Sequence, residues 1–384
     1  MAGRERRPRH RRLPELTRRR LLGAGATALA AAAGIEFAAD TPRRSPAPLP
    51  PPEQTGCGPG AVVGTRPGPP LRLEAADQGV VLRHGDGPGR CDAYGARDVI
   101  VWRYGGTWYM HYDGAGDPGW LACRATSPDG RRWTKAGPVL GLGAPGSADA
   151  GSASYAVPVE TAAGWYLFYL AAATATAPPE RVPATPYRTL AATGPGPDGP
   201  WTKQPQLVPF ALQPGTYYAD TAAPGGVFTF NGQYCQYFSA AAGNPLQRTL
   251  GLARSADLNA PWTVEPQPIL PATEQIENSS VYYEAANNTW FLFTNHIGLD
   301  VVEYTDAIWV YWTSDPTSWD PARKAVVLDG RNCCWSRRVV GLPSIVPLED
   351  RLALYYDGLA GSGASHVGRD VGLAYLPRPL TPPS

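Results

Sequence analysis

The pattern of apolar and polar positions changes character twice along the chain. Up to residue 39, basic residues give way to a weakly apolar, Ala-rich run from Leu21 to Ala33. Residues 40–70 hold Pro and Gly with almost no apolar periodicity. From Leu71 onward, short apolar and aromatic runs alternate with Gly, Asn and Pro turns. Asp98-Val-Ile-Val-Trp102, Gly164-Trp-Tyr-Leu-Phe-Tyr169 and Ile308-Trp-Val-Tyr-Trp312 are typical. Such runs are strand-length and rich in β-branched and aromatic residues, so they predict an all-β protein.

The runs repeat. One unit is an apolar strand, a Gly or Asn turn, an aromatic strand, a third strand of the Gly-Leu-Ala-x-Ser kind, and a polar turn ending in Trp. Copies start near Asp98, Tyr155, Gly226, Glu277 and Leu342. Residues 71–384 thus allow roughly 63 residues per copy, enough for a four-stranded sheet with its loops. Five such sheets set radially predict a five-bladed β-propeller; a β-sandwich would not explain five similar units. The fifth copy lacks a clear fourth strand, and Gln78-Gly-Val-Val-Leu82 precedes the first, so the early strand is expected to close the ring. In the turns, Ser and Asp are expected to cap backbone and Trp to pack between blades.

Composition agrees, with 43 Gly and 42 Pro among 384 residues but two Met, against 12 Trp and 19 Tyr. Gly and Pro are costly in helices and useful in turns. The total charge of +1 conceals an asymmetry: residues 1–39 carry nine Arg against three Glu, which leaves −5 for the remainder. A mildly acidic body gives no electrostatic reason to bind nucleic acid. The segment Thr17-Arg-Arg-Arg-Leu-Leu22 and its apolar run resemble a twin-arginine signal. The expected organisation is therefore a signal over 1–39, a linker over 40–70 and a propeller over 71–384. The 13-residue apolar run is too short for an ordinary span, so export to the medium or cell surface is expected, with no further membrane contact. The folded part is expected to be a monomer.

Cysteines stand at 57, 91, 123, 235, 333 and 334, matching no zinc motif. Cys123 and Cys235 are expected to be free and buried in strands, and a bridge is expected between Cys91 and the Cys333-Cys334 pair.

Several segments carry a resemblance to a known group: Gly79-Val-Val-Leu-Arg-His-Gly85, Asp92-Ala-Tyr-Gly-Ala-Arg-Asp98, Gly105-Gly-Thr-Trp-Tyr-Met-His-Tyr-Asp-Gly114 and Thr126-Ser-Pro-Asp-Gly-Arg-Arg-Trp-Thr-Lys135. Together with the repeat, the chain resembles the five-bladed propeller glycoside hydrolases, among them family 43 arabinanases and xylosidases and the family 32 and 68 fructan enzymes. The resemblance implies a funnel at the propeller axis. Asp98, Tyr155, Asp220 and Glu277 would reach it from strand starts, and Asp113, Asn295, His296 and Asp357 from the ends of second strands.

Glycoside hydrolysis generally needs one carboxylic acid and one carboxylate. Asp98 stands where family 43 enzymes carry the general base, and the alternative for it is a pair with Arg97. The second blade places Tyr155 or Ser154 where that family has an acidic residue; Asp92 and Asp149 either supply the missing charge or cap loops. In the third blade, Ala223-Pro224 falls where the acid would be, which leaves Glu277, one blade later, and Asp220 as candidate acids. Tyr155, His296, Trp102, Arg338 and Asp113 are candidate sugar-binding residues, with Tyr217, Tyr218 and Arg337 as further possibilities. No phosphate loop, Ser-His-Asp motif or His-x-x-x-His motif occurs, so neither cofactor nor metal is expected. The expected activity is inverting, metal-independent cleavage of a furanose-containing polysaccharide or oligosaccharide. The alternatives are a non-catalytic carbohydrate-binding propeller and a protein-interaction scaffold.

Overall fold

The computed structural model describes residues 68–297, 305–361 and 365–384. The leader, most of the linker and Cys57 lie outside the described residues. Five antiparallel blades follow one another along the chain, the first two joined by a short parallel pairing of Trp120 and Leu121 with Ser152 and Ala153. The first blade holds Gly95–Tyr104, Thr107–Gly116, Gly119–Ser127 and Thr134–Pro138. The second holds Ser152–Thr161, Gly164–Ala172, Arg188–Gly194 and Thr202–Lys203. In the third, Thr221–Ala223 and Val227–Phe230 both pair with Gln233–Ala242, which is followed by Gln247–Ser255 and Thr263–Val264. The inner strand breaks at Pro224-Gly225, where a side chain on Gly225 would collide with the Tyr237 carbonyl. The fourth blade runs Ile276–Glu284, Thr289–Ile297, Thr305–Thr313 and Lys324–Asp329, with Leu71–Arg72 parallel to its outer edge.

The fifth blade has three consecutive strands, Val340–Pro347, Arg351–Leu359 and Arg369–Pro377. Its outer strand is Ala76–Leu82 from the opposite end of the domain, antiparallel to Arg369–Pro377. The ring therefore closes as the incomplete fifth repeat predicts, and no long sheet edge is left there.

Hydrophobic residues form five layers, one between each pair of adjacent blades, rather than one central core. Leu121, Leu140 and Leu167 lie between the first and second blades, and Phe168, Phe238 and Trp262 between the second and third. Tyr237, Leu292 and Trp319 fill the third-to-fourth layer, Phe293, Val310 and Leu354 the fourth-to-fifth, and Met110, Tyr112 and Leu373 the fifth-to-first. Three turn tryptophans face aromatics of the preceding blade: Trp133 on Tyr355, Trp262 on Phe168 and Trp319 on Tyr237. The turns before them are capped as expected. The Ser127 hydroxyl accepts from the Gly130 amide at 2.9 Å, and the Asp129 carboxylate accepts from the amides of Arg131 and Arg132.

One expectation needs correction. Cys123 and Cys235 are free and buried as foreseen, but so are Cys91 and Cys333. Cys91 belongs to the fifth-to-first layer and Cys333 to the fourth-to-fifth, so a sheet separates them. Cys334 is disulfide-bonded, and its partner is none of these four.

Candidate active site

The inner strands open on irregular backbone. Bulges interrupt the pairing between Arg97 and Ile100, Ser154 and Val157, Ile276 and Ser279, and Gly341 and Ser344. At two of them the residue takes a left-handed conformation, Asp98 with φ 55° and Tyr155 with φ 41°. That conformation is costly for residues other than Gly and persists where surrounding groups hold it. Here a carboxylate of the preceding blade does so. Asp357 Oδ2 accepts from the Asp98 amide at 3.0 Å, and Asp113 accepts from the Tyr155 amide. The bulge re-aims the side chain that follows it.

The redirected side chains share one cavity of about 320 Å³, walled by Arg97, Asp98, Asp113, Tyr155, Glu277 and Arg369 among others. Of the three candidate catalytic groups, Asp98 and Glu277 are on this wall and Asp220 is not. The Asp220 carboxylate instead accepts from the Gly243 amide at 2.9 Å, capping the turn beside its own strand. Ala223, at the position expected for an acid in the third blade, lines the cavity, so Glu277 supplies a carboxylate that the third blade lacks.

Asp98 pairs with Arg97, Nε to Oδ1 at 2.9 Å, and faces the cavity as well. Burial pushes its carboxyl up to about 7; Asp357 and Glu277 add to the rise, while Arg97 and Arg369 oppose it. Burial and the nearby Asp98 hold Asp113 well above the usual carboxylate range. The Tyr155 phenol is raised by burial and by Asp98, Asp113 and Glu277. Its hydroxyl is buried against the cavity without a hydrogen-bond partner in the protein, which leaves a donor for a ligand.

Other predicted residues lie elsewhere. His296 is fully buried, with Nδ1 2.8 Å from the Glu274 carbonyl, Nε2 2.9 Å from the Thr294 hydroxyl, and its ring against Trp309. Trp102 stacks on Tyr109 at 5.3 Å within the first blade. Arg337 and Arg338 are half-buried ahead of the fifth inner strand and off the cavity wall. Tyr217 and Tyr218 pack with Phe238 in the second-to-third layer. Asp92 accepts from the Gly87 amide at 2.7 Å, and Asp149 from the hydroxyls of Ser147 and Tyr169, so both serve loops.

Sequence reading missed groups that come from connections and from the starts of third strands. Between the second and third strands of the second blade, a small hairpin of Thr174–Ala175 and Pro183–Ala184 brings Thr176, Val182 and Pro183 to the cavity. Its base passes so close to Gly151 that a Cβ there would sit 2.5 Å from the Thr174 carbonyl carbon. Arg248 arrives from the third blade, and His366 and Arg369 from the fifth. Arg369 donates from Nη1 to Asp357 Oδ1 at 2.9 Å and from Nε to the Ser365 carbonyl at 2.9 Å. The hairpin residues and His366 lie in connections that differ between copies, whereas Arg248 and Arg369 stand at the starts of the third strands Gln247–Ser255 and Arg369–Pro377. Among the described residues, no group of three or more His, Cys, Asp or Glu is arranged to hold a metal ion.

No protein-family model and no curated protein sequence matches the chain. Solved structures do. The catalytic domain of a Coprinopsis cinerea GH62 α-L-arabinofuranosidase is similar over 79 % of this chain and 97 % of its own, with 14 % identity and a TM-score of 0.59. A family 117 glycoside hydrolase from Zobellia galactanivorans is similar over 79 % and 91 %, at 14 % identity and 0.56. A member of the GH130 group of mannoside phosphorylases and hydrolases is similar over 85 % and 99 %, at 15 % identity and 0.56. At this identity the likeness is one of fold, the five-bladed propeller of the glycoside hydrolases.

Proposed function

We propose that the protein is an exported glycoside hydrolase that cleaves a furanose-containing polysaccharide or oligosaccharide with inversion. The observation that carries this reading is that Asp98 and Glu277 share the wall of one cavity, while Asp98 also has a carboxyl poised near neutrality. A general base with a pKa near the working pH is the strongest one that is still ionised there. Asp98 would take a proton from water as the water attacks the anomeric carbon, and Glu277 would protonate the departing glycosidic oxygen. Asp357 holds the Asp98 backbone and Arg97 its carboxylate, so the base is oriented before substrate arrives. The arabinofuranosidases among the structural neighbours favour a furanose. The twin-arginine leader favours export, which replacement of Arg18 and Arg19 by Lys would block in a secretion assay.

Product release from arabinans, arabinogalactans, xylans and fructans tests the reading. Turnover of at least one of them, with an inverted anomeric configuration in the first product, is the expected result. Retention would remove Asp98 from the role of base. A second reading, sugar binding without turnover, is favoured by Tyr155 and Ala223 standing where the resembling family carries acidic residues; binding with no product from the whole panel would establish it.

A further inference from the structure

The two carboxylates that brace left-handed residues at the cavity are supported differently. Asp113, which accepts from the Tyr155 amide, is held well above the usual range by burial, and its other donor is the Ser154 hydroxyl. Asp357 is as deeply buried and gives Oδ2 to the Asp98 amide at 3.0 Å, but its Oδ1 accepts from Arg369 Nη1 at 2.9 Å. That guanidinium is itself fixed. Arg369 is 2 % exposed, and its Nε donates to the Ser365 carbonyl at 2.9 Å. The residues on either side are pinned as well, since the Gly368 amide donates to the Tyr94 carbonyl at 2.5 Å and Asp370 accepts from the His84 amide at 2.9 Å. A buried ion pair is weak evidence of a gain in stability, because desolvation of both charges offsets their attraction. This one stands a single hydrogen bond away from the backbone of Asp98.

We propose that Arg369 is a positioning residue for Asp98 that acts through Asp357. The guanidinium fixes one oxygen of Asp357 so that the other holds the Asp98 amide, and with it the left-handed backbone that turns the Asp98 side chain into the cavity. This rests on the reading of Asp98 as the general base and deepens it by naming what keeps that base in place. Without Arg369 the Asp357 carboxylate would be free to rotate off the amide; bonds to both of its oxygens remove that freedom. Arginine suits the task because its planar fork serves Asp357 and the Ser365 carbonyl at once, which a single ammonium on a flexible stem does less rigidly. Arg369 also acts on Asp98 by charge. The groups around the Asp98 carboxyl are Arg97 and Asp113 from the first blade, Tyr155 from the second, Glu277 from the fourth, and Asp357 and Arg369 from the fifth. Arg97 and Arg369 are the cations that oppose its rise to about 7, so removing Arg369 leaves the proton on Asp98 to higher pH.

The test is steady-state kinetics against pH for the full chain, Arg369→Gln and Arg369→Lys, on a polysaccharide that the wild type turns over. Arg369→Gln is expected to lower kcat about ten- to a hundredfold with KM within about threefold, the signature of a displaced base rather than a lost sugar contact. Its kcat/KM should rise at higher pH than the wild type, for which the rise lies near pH 7. Arg369→Lys returns the charge, so its rise should move back towards that of the wild type while kcat recovers only in part. A kcat within about twofold of the wild type in Arg369→Gln would overturn the inference and leave the glycosidase reading intact. A raised KM with kcat kept would also overturn it, by placing the guanidinium on the sugar itself. Should Arg369→Gln fail to fold, Arg369→Lys decides: lowered kcat at unchanged KM upholds the inference, and full kcat overturns it. A wild type that released no product from any polysaccharide would overturn both readings.

Discussion

Asp98 is held by the Asp357 carboxylate on its amide and by Arg97 on its side chain, and its surroundings keep a proton on it up to about pH 7. Two consequences are measurable. As the base, it must lose that proton, so kcat/KM should rise through about pH 7; a fall through the same pH would mean that Asp98 is the proton donor. The second consequence concerns stability. The unfolded value is near 3.9, so between about pH 4 and 7 the folded chain keeps a proton that the unfolded chain has released. That contribution is full below about pH 4 and is lost as pH rises through 7. Urea midpoints of Asp98→Asn relative to the wild type should therefore improve between pH 5 and pH 8; parallel midpoints would show that the group does not titrate as described. Tyr155→Phe removes a hydroxyl with no internal partner. It should leave stability within about 0.5 kcal/mol while lowering kcat/KM about two- to tenfold, as for one hydrogen bond to substrate. An unchanged kcat/KM would place the hydroxyl away from the ligand.

The elements show why some of the site was legible in the sequence and some was not. Asp98, Tyr155 and Glu277 open inner strands, and the repeat marks those positions directly. Asp113 and Asp357 end second strands and are equally marked, although their observed work is to hold the bulges of the next blade. Asp220 and His296 occupy comparable places in the repeat, yet local geometry diverts them, one to a turn amide and the other into the core beside Trp309. The hairpin over Thr174–Ala184 and His366, in the connection before Arg369–Pro377, carry no periodic signal, because long-range packing fixes them, and Arg248 stands at the variable start of a third strand. The contact at Gly151 is one such dependence, and a methyl group there meets backbone that cannot rotate away. Gly151→Ala should cost about 1–3 kcal/mol by overpacking. It should also raise KM more than it lowers kcat, since the displaced hairpin lines the cavity without contributing a catalytic carboxylate. Equal losses in both would argue that the hairpin orders the catalytic groups as well.

Across the whole molecule, the repeat in the sequence is a repeat of interfaces, with an apolar layer between every pair of blades and an N-terminal strand that completes the fifth. The ring was legible because each copy spells out its own turn and aromatic strand. The unpaired first strand and the incomplete last copy also required each other. Leu82 lies in the closing layer between the fifth and first blades and is 4 % exposed. Leu82→Ala should destabilise by about 2–5 kcal/mol. Removal of residues up to 83 should do more, because it exposes the edge of Arg369–Pro377 as well. Thermal unfolding checks both; a truncated chain melting with the intact one would show that the strand does not close the ring.

The central claim is that Asp98 and Glu277 act together on a glycosidic bond, and the most direct measurement is turnover and sugar affinity determined side by side for the wild type, Asp98→Asn and Glu277→Gln. Each variant should lose about 10²- to 10⁴-fold in kcat, the usual contribution of a positioned acid or base. Affinity for the same sugar should stay within about threefold. Full turnover in either variant, or affinity lost together with turnover, would contradict the assignment of these two carboxylates to the chemistry.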